Sequence, residues 1–360
     1  MPENILVFGV HDKIGGVETY FYNVFNTIYN IHFDFVSSSP TMCYEDEFRK
    51  NGSTVYKVPD FHRKPLAYYK KICAILEKTS YDAIYYNMLS AANILPIVAA
   101  RRNGISRIIA HSHNAGTPSK FIKMPLNLVN RKLVNRFSTD KWACSTEAAE
   151  FIFGTQQSFT LVPNAIDTKR FTFNANARQT MRNRLGISDE LLVGFVGRFT
   201  KQKNPRRVLD IFRSFHSLNS NSKLVLTGSG ELESELKKEV QKLGLESSVI
   251  FTGNVRAVES ILNAMDMLLL PSLFEGLPIV LLEAQACGLP YIASNTVSQE
   301  SIVTEHTQYL SLDSNDSCWA NHVQKIENTE RESDSELFAR SKWTLKNQTP
   351  LLQQLLEKSK

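Results

Sequence analysis

The stretch MLLLPSLFEGLPIVLLEAQACGLPYIAS, residues 267–294, decides the fold. Met267 to Leu270 is a short continuous apolar run ended by Pro271, the pattern of a buried strand. A loop through Ser272, Leu273, Phe274, Glu275, Gly276 and Leu277 follows. Pro278 suits the first turn of a helix, where its missing N–H costs nothing. Ile279 to Cys287 continues that helix, Gly288 and Pro290 stop it, and Tyr291 to Ser294 is a second strand. The unit is therefore βαβ, with a glycine-bearing loop at the carboxyl end of its first strand, where open parallel sheets bind ligands.

Two carboxylates mark this unit, Glu275 in the loop and Glu283 on the helix. Helix-start N–H groups around Gly276, Leu277 and Ile279 lack intrahelical partners and suit an anionic or hydroxyl-rich ligand. A carboxylate beside them accepts hydrogen bonds from sugar hydroxyls. Glu283 could equally be a solvated helix residue, although its neighbours Leu282 and Ala284 leave it little polar company.

Outward from here the same alternation fills the chain. Strands are expected at 4–10, 32–38, 55–58, 82–86, 107–111, 141–144 and 159–163. Helices are expected from Glu18 to about Tyr29, at 66–79, at 90–103 and from Glu147. After V-P-N-A-I-D (162–167) the pattern restarts with strands at 191–197, 223–227 and 249–252, each followed by a helix. Alternating strands and helices make parallel sheets covered on both faces. With 360 residues, two α/β domains in series fit better than one core. A helical 332–360, broken at Pro350, would pack back on the first domain.

Composition bounds the partners. The chain is 42% hydrophobic and 21% charged, a soluble pattern; the start lacks a basic-then-apolar leader, and no apolar run reaches the roughly 18 residues of a membrane span. The five cysteines are scattered without C-x-x-C spacing, which gives neither a disulfide framework nor a zinc site. Net charge is only +5, but residues 101–141 carry nine Lys/Arg against one acid, Asp140. Within it, SKFIKMPLNLVNRKLVNRF (119–137) alternates basic and apolar residues, as does a helix lying on an anionic membrane or a core-packing helix with a basic polar face. Its aromatics do not interleave the charges as a nucleic-acid stacking platform needs.

Two further loops bear on phosphate. Gly15 and Gly16 precede a helix and let a ligand approach free backbone N–H groups. Arg198 and Lys203 share one loop at the end of the strand opening the second domain, and a guanidinium and an ammonium there can converge on a diphosphate.

Gly15-Gly16-x-Glu18, the G-R-x-x-x-x-K loop (Gly197, Arg198, Lys203), V-P-N-A-I-D and F-E-G-L-P-I-V-L-L-E-A-Q-A-C-G-L-P (274–290) together resemble the family 4 glycosyltransferases. The resemblance spans nearly the whole chain in order, and the glutamate pair with seven residues between is its most specific part. It implies a GT-B fold: two Rossmann-like parallel-sheet domains facing a cleft, residues 1–166 with 343–360 on the acceptor side and 167–342 on the donor side. It implies a retaining, metal-independent transfer of a hexose or N-acetylhexosamine from a nucleotide sugar, commonly a UDP-sugar, with no other cofactor. Glu275, with Gly276, Leu277, Pro278 and Ile279, would hold the donor sugar, and Glu283 the ribose. Gly253, Asn254 and Val255 would border the base, while Arg198, Lys203, Gly15 and Gly16 would hold the diphosphate. His111 or His113, at a strand end, would lie near the reacting sugars, His111 being favoured because it directly follows the apolar run. The leaving phosphate would take the acceptor proton, so that Glu275 binds and is not a hydrolase-type nucleophile.

The acceptor implied is a polyprenyl-diphosphate-linked oligosaccharide in capsule or exopolysaccharide synthesis. The enzyme would then be cytoplasmic and peripheral at the inner face of the cell membrane. An epimerase or phosphorylase on the same fold, or a non-catalytic nucleotide-sugar-binding protein, would use the same residues.

Overall fold

The computed structural model describes residues 3–114, 124–326 and 335–357. The chain divides into two compact units, residues 1–164 with 345–360, and residues 165–344. Each is built on one parallel sheet.

The first sheet has seven strands: β1 (Glu3–Phe8), β2 (Ile31–Ser37), β3 (Val55–Lys57), β4 (Ala83–Met88), β5 (Arg107–Ser112), β6 (Asp140–Ala143) and β7 (Thr160–Leu161). Their order is β3-β2-β1-β4-β5-β6-β7, with every pairing parallel. β4 and β5 are buried along their whole length, as expected of strands covered on both faces.

The second sheet has six strands: β8 (Leu191–Val196), β9 (Ser222–Thr227), β10 (Val249–Gly253), β11 (Met267–Leu270), β12 (Tyr291–Ser294) and β13 (Thr307–Leu310). Their order is β10-β9-β8-β11-β12-β13, again all parallel. The chain winds one way from β8 to β10 and the other way from β11 to β13. The switch therefore falls between β8 and β11, and the loops after these two strands flank the crevice where such sheets bind ligands. The helix Ile279–Ala286 that follows β11 is buried at every position.

Three local expectations are corrected. β13 has no counterpart in the sequence reading, because Thr307-Gln-Tyr-Leu310 is a half-buried edge strand without an apolar run. Pro350 does not break the terminal helix, which runs from Leu345 to Glu357. Both Pro350 and Lys346, whose carbonyl the proline leaves without an N–H donor, are exposed, so water can satisfy that group. Of the C-terminal helical pair only this last helix belongs to the first unit. The preceding helix, Ser335–Ala339, packs on Ile279–Ala286 and Thr168–Phe171 in the second.

The last helix is held by buried Leu352 and Leu356 and by Arg107 on β5. That guanidinium donates to the carbonyl oxygens of Leu355 and Leu356 and pairs with Asp140. One member of the basic 101–141 segment is thus a structural cap for a helix end.

Candidate donor-binding site

Two loops of the second unit are knitted together at the carboxyl ends of β8 and β11. The 198–204 loop is first fixed to its neighbour after β9: Gly197 N donates to Thr227 O at 3.0 Å and Phe199 N to Ser229 O at 2.9 Å. Gly228 has φ +134°, and a Cβ there would stand 2.0 Å from Gly197 O, so only glycine fits. Asn204 ends the loop with φ 53°, a left-handed conformation asparagine tolerates. Its Nδ2 donates to Pro271 O at 3.1 Å. Leu273 N donates to Gln202 O at 2.8 Å, and Gln202 Nε2 to Phe274 O at 3.1 Å. From the far side Thr296 Oγ1 donates to Ser272 O at 2.8 Å, and Glu275 makes a β-bridge with Val297.

This clamp brings two of the expected ligand-binding residues into contact. Lys203 Nζ lies 2.6 Å from Glu275 Oε1. The carboxylate is about nine-tenths buried, and its Oε1 accepts no aligned hydrogen bond among the described residues. Arg198, in the same loop, is exposed and forms no ion pair among the described residues. Gly276, Leu277, Pro278 and Ile279 are buried at the start of the helix that follows.

Glu283 lies on that helix with 7% of its surface exposed, so it is not the solvated helix residue it could have been. Its side chain forms no hydrogen bond or ion pair among the described residues. Burial raises its pKa from 4.5 to about 7, with Arg170 drawing it down and Glu259 pushing it up. Arg170 is itself engaged, donating to Glu259 Oε2 at 2.7 and 2.9 Å and to the Arg256 carbonyl at 2.9 Å. Nothing in the spacing of the chain marks Arg170 or Glu259 as neighbours of Glu283. Gln202, inside the G-R-x-x-x-x-K loop, and Asn204, directly after it, were likewise missed.

Gly253, Asn254 and Val255 sit at the end of β10, on the other side of β8 from β11. The Gly253 carbonyl already accepts from Gly228 N at 2.9 Å, and Asn254 is exposed.

In the first unit Gly15 precedes the helix Gly16–Thr27. Glu18 is buried beneath the loop, and its Oε1 accepts from His11 N at 3.1 Å and lies 3.2 Å from His11 Nδ1. A Cβ on Gly15 would come within 2.9 Å of Glu18 Oε2.

The structure gives the two histidines different surroundings. His111 lies inside β5 and is wholly buried, with Nδ1 hydrogen-bonded to Tyr85 Oη at 2.7 Å. Tyr85 Oη in turn meets Tyr20 Oη at 3.0 Å. Burial, then His113, hold the pKa of His111 well below 6.5. His113, just past the strand, keeps partial exposure, but its Nε2 is 2.9 Å from Asn87 Oδ1 and burial lowers its pKa to about 3. Both imidazoles are neutral at physiological pH, so neither is a ready proton donor.

A cavity of about 440 Å³ opens at the carboxyl ends of β1, β2 and β4. Among the described residues its walls include His11, Ser39, Asp60, His62, Tyr68 and Tyr86, and no Lys or Arg. Sequence reasoning did not find it, because its residues come from four separate stretches of the chain.

Residues 177–341 match the family described as Glycosyl transferases group 1. EpsF of Bacillus subtilis (strain 168), which carries a glycosyltransferase designation, is 31% identical over 86% of this chain and 84% of its own. The chain belongs to the group 1 glycosyltransferases. A second relative of this glycosyltransferase is the UDP-Gal:alpha-D-GlcNAc-diphosphoundecaprenol alpha-1,3-galactosyltransferase of Escherichia coli. It is 28% identical over 67% of this chain and 65% of its own. Among solved structures, Anabaena Alr3699/HepE in complex with UDP and glucose superposes with a TM-score of 0.84 over 99% of both chains at 19% identity. The GT-B fold expected from the motifs is therefore that of the enzyme.

Proposed function

We propose that this glycosyltransferase moves a hexose or N-acetylhexosamine, with retention of anomeric configuration, from a UDP-sugar to a lipid-linked sugar acceptor in bacterial surface-polysaccharide assembly. The observation that carries the reading is the convergence of Arg198, Lys203 and Glu275 on the β8–β11 switch point, with unpaired Glu283 on the next helix. Names of relatives support the chemistry: one acts on a UDP-sugar and a diphosphoundecaprenol-linked acceptor, and a structural neighbour holds UDP and glucose.

In this reading Glu283 accepts hydrogen bonds from the ribose hydroxyls and Glu275 from the sugar. Arg198 and Lys203 are preorganised cations for the charge that grows on the departing diphosphate. The same two cations take the place a metal holds in other diphosphate chemistries, so transfer proceeds without one. The leaving phosphate receives the acceptor proton on the face of departure, which preserves configuration without a protein nucleophile. The cavity of the first unit, polar, aromatic-walled and lined by no Lys or Arg among the described residues, suits an uncharged acceptor sugar.

The carrier lipid gives the 119–137 segment its role. Residues 119–123 lie outside the described residues. From Met124 to Phe137 the segment is a helix, on which Leu128, Val129, Lys132 and Arg136 are exposed. An apolar pair beside two cations on one helix fits an anionic bilayer surface. Arg131 is not part of it, since its Nη2 donates to the Phe151 carbonyl at 2.8 Å. No helix among the described residues is long and apolar enough to cross a membrane.

A panel of nucleotide sugars scored by thermal shift identifies the donor, since a tight ligand raises Tm. Transfer to a polyprenyl-diphosphate acceptor, followed by proton NMR of the new anomeric centre in the presence of EDTA, tests configuration and metal independence together. Turnover without acceptor would favour an epimerase, and donor binding without turnover a sensor. Flotation with anionic liposomes tests the membrane face; unchanged partition of Lys132→Glu/Arg136→Glu would remove it.

A further inference from the structure

The Lys203–Glu275 contact is an internal occupant of the donor site. The ammonium assigned above to a phosphate lies 2.6 Å from the carboxylate assigned to sugar hydroxyls. The surrounding loops are tied by backbone and amide hydrogen bonds from Gln202 and Asn204, so the pair is built in and not a chance meeting of flexible side chains. Glu275 Oε1 is buried and accepts no aligned hydrogen bond among the described residues, so the carboxylate gains when a hydroxyl donor reaches it. Arg198 stays exposed in the same loop.

We propose that Glu275 determines selectivity between the nucleotide sugar and the bare nucleoside diphosphate by competing with phosphate for Lys203. A diphosphate that draws Lys203 away leaves Glu275 as a buried, uncompensated charge close to an anion. A nucleotide sugar makes the same demand but supplies hydroxyl donors to that carboxylate. Only the intact donor completes the exchange of partners. After transfer the sugar is gone, Glu275 is unpaired again, and Lys203 returns to it as the diphosphate leaves. The pair therefore favours substrate over product and speeds product release, the step that limits many enzymes.

This inference rests on the donor-site assignment made above. Its test is calorimetric titration of UDP, GDP and inorganic pyrophosphate, and of the nucleotide sugar found by thermal shift, into wild type, Glu275→Gln and Glu275→Ala. Glu275→Gln is expected to bind the bare diphosphate about fivefold more tightly, as loss of a competing part-buried ion pair allows, and the nucleotide sugar more weakly. Glu275→Ala, which keeps no sugar acceptor, should show the same tightening and a larger loss of nucleotide sugar. In a Lys203→Met background the tightening should vanish. Diphosphate affinity unchanged or lowered in both Glu275 variants would overturn the proposal while leaving the donor site standing. A wild-type protein that binds none of these ligands would overturn the site assignment and the proposal with it.

Discussion

Glu283 and Gln285 stand two residues apart on one buried helix, and the fold treats them in opposite ways. Gln285 Nε2 donates to the carbonyls of Leu281 and Ser301, at 3.1 and 2.9 Å, and its Oε1 accepts from Val303 and Thr304 N at 2.8 and 3.1 Å. Glu283 makes no such bond among the described residues. A buried polar group is normally satisfied, so Gln285 belongs to the fold and Glu283 is kept for something the fold does not supply.

Gln285→Leu should therefore cost about 3 kcal/mol, because it strands two backbone N–H groups as well as two carbonyls. Denaturant unfolding of the purified protein measures it. Glu283→Gln should cost nothing.

The pH dependence follows from the raised pKa of Glu283. Between pH 4.5 and about 7 the folded chain holds a proton that the unfolded chain has lost, so stability falls as pH rises through that window. The effect is at most about 3 kcal/mol. Glu283→Gln removes it, and the variant should melt several degrees above wild type at pH 8 while matching it at pH 4.5. Ligand affinity runs the other way. Ribose hydroxyls bond best to the carboxylate, so donor binding should tighten as pH rises through 7 in wild type and stay flat in the variant.

The two histidines give the opposite sign. Both are neutral when folded, His113 with a pKa of about 3, and both take up a proton near pH 6.5 when unfolded. Stability should fall as pH drops below 6.5, by about 1.4 kcal/mol per pH unit for each group. Thermal unfolding of His113→Asn between pH 7 and 4.5 should show a shallower slope. An unchanged slope would mean that His113 is already protonated in the folded enzyme.

Gly228→Ala tests the clamp beneath the donor loop. The added Cβ must displace the backbone at Gly197 and adopt φ +134°, at a cost of about 1–3 kcal/mol. Because Gly197 adjoins Arg198, diphosphate affinity should fall with stability. Loss of stability without loss of affinity would separate the loop from the ligand.

The βαβ unit at 267–294 was legible from its residues because a buried parallel strand and a buried helix both write continuous apolar runs, and glycine and proline punctuate them. The β-bridge of Glu275 and edge strand β13 were not, since each depends on a partner distant in the chain. Pro350 misled because a proline's damage depends on whether the carbonyl it strands can reach water.

Residue order fixed which chemistry the chain carries: two glutamates with seven residues between, an arginine and lysine in one loop, glycines before a helix. These are local facts of covalent spacing and backbone preference. Which of those groups meet is not local. That Lys203 already holds Glu275, that Glu283 is unpaired beside an Arg170 engaged elsewhere, and that His111 is sealed while His113 is not, follow from packing. Burial and Coulomb energy depend on distances through space that no spacing along the chain encodes.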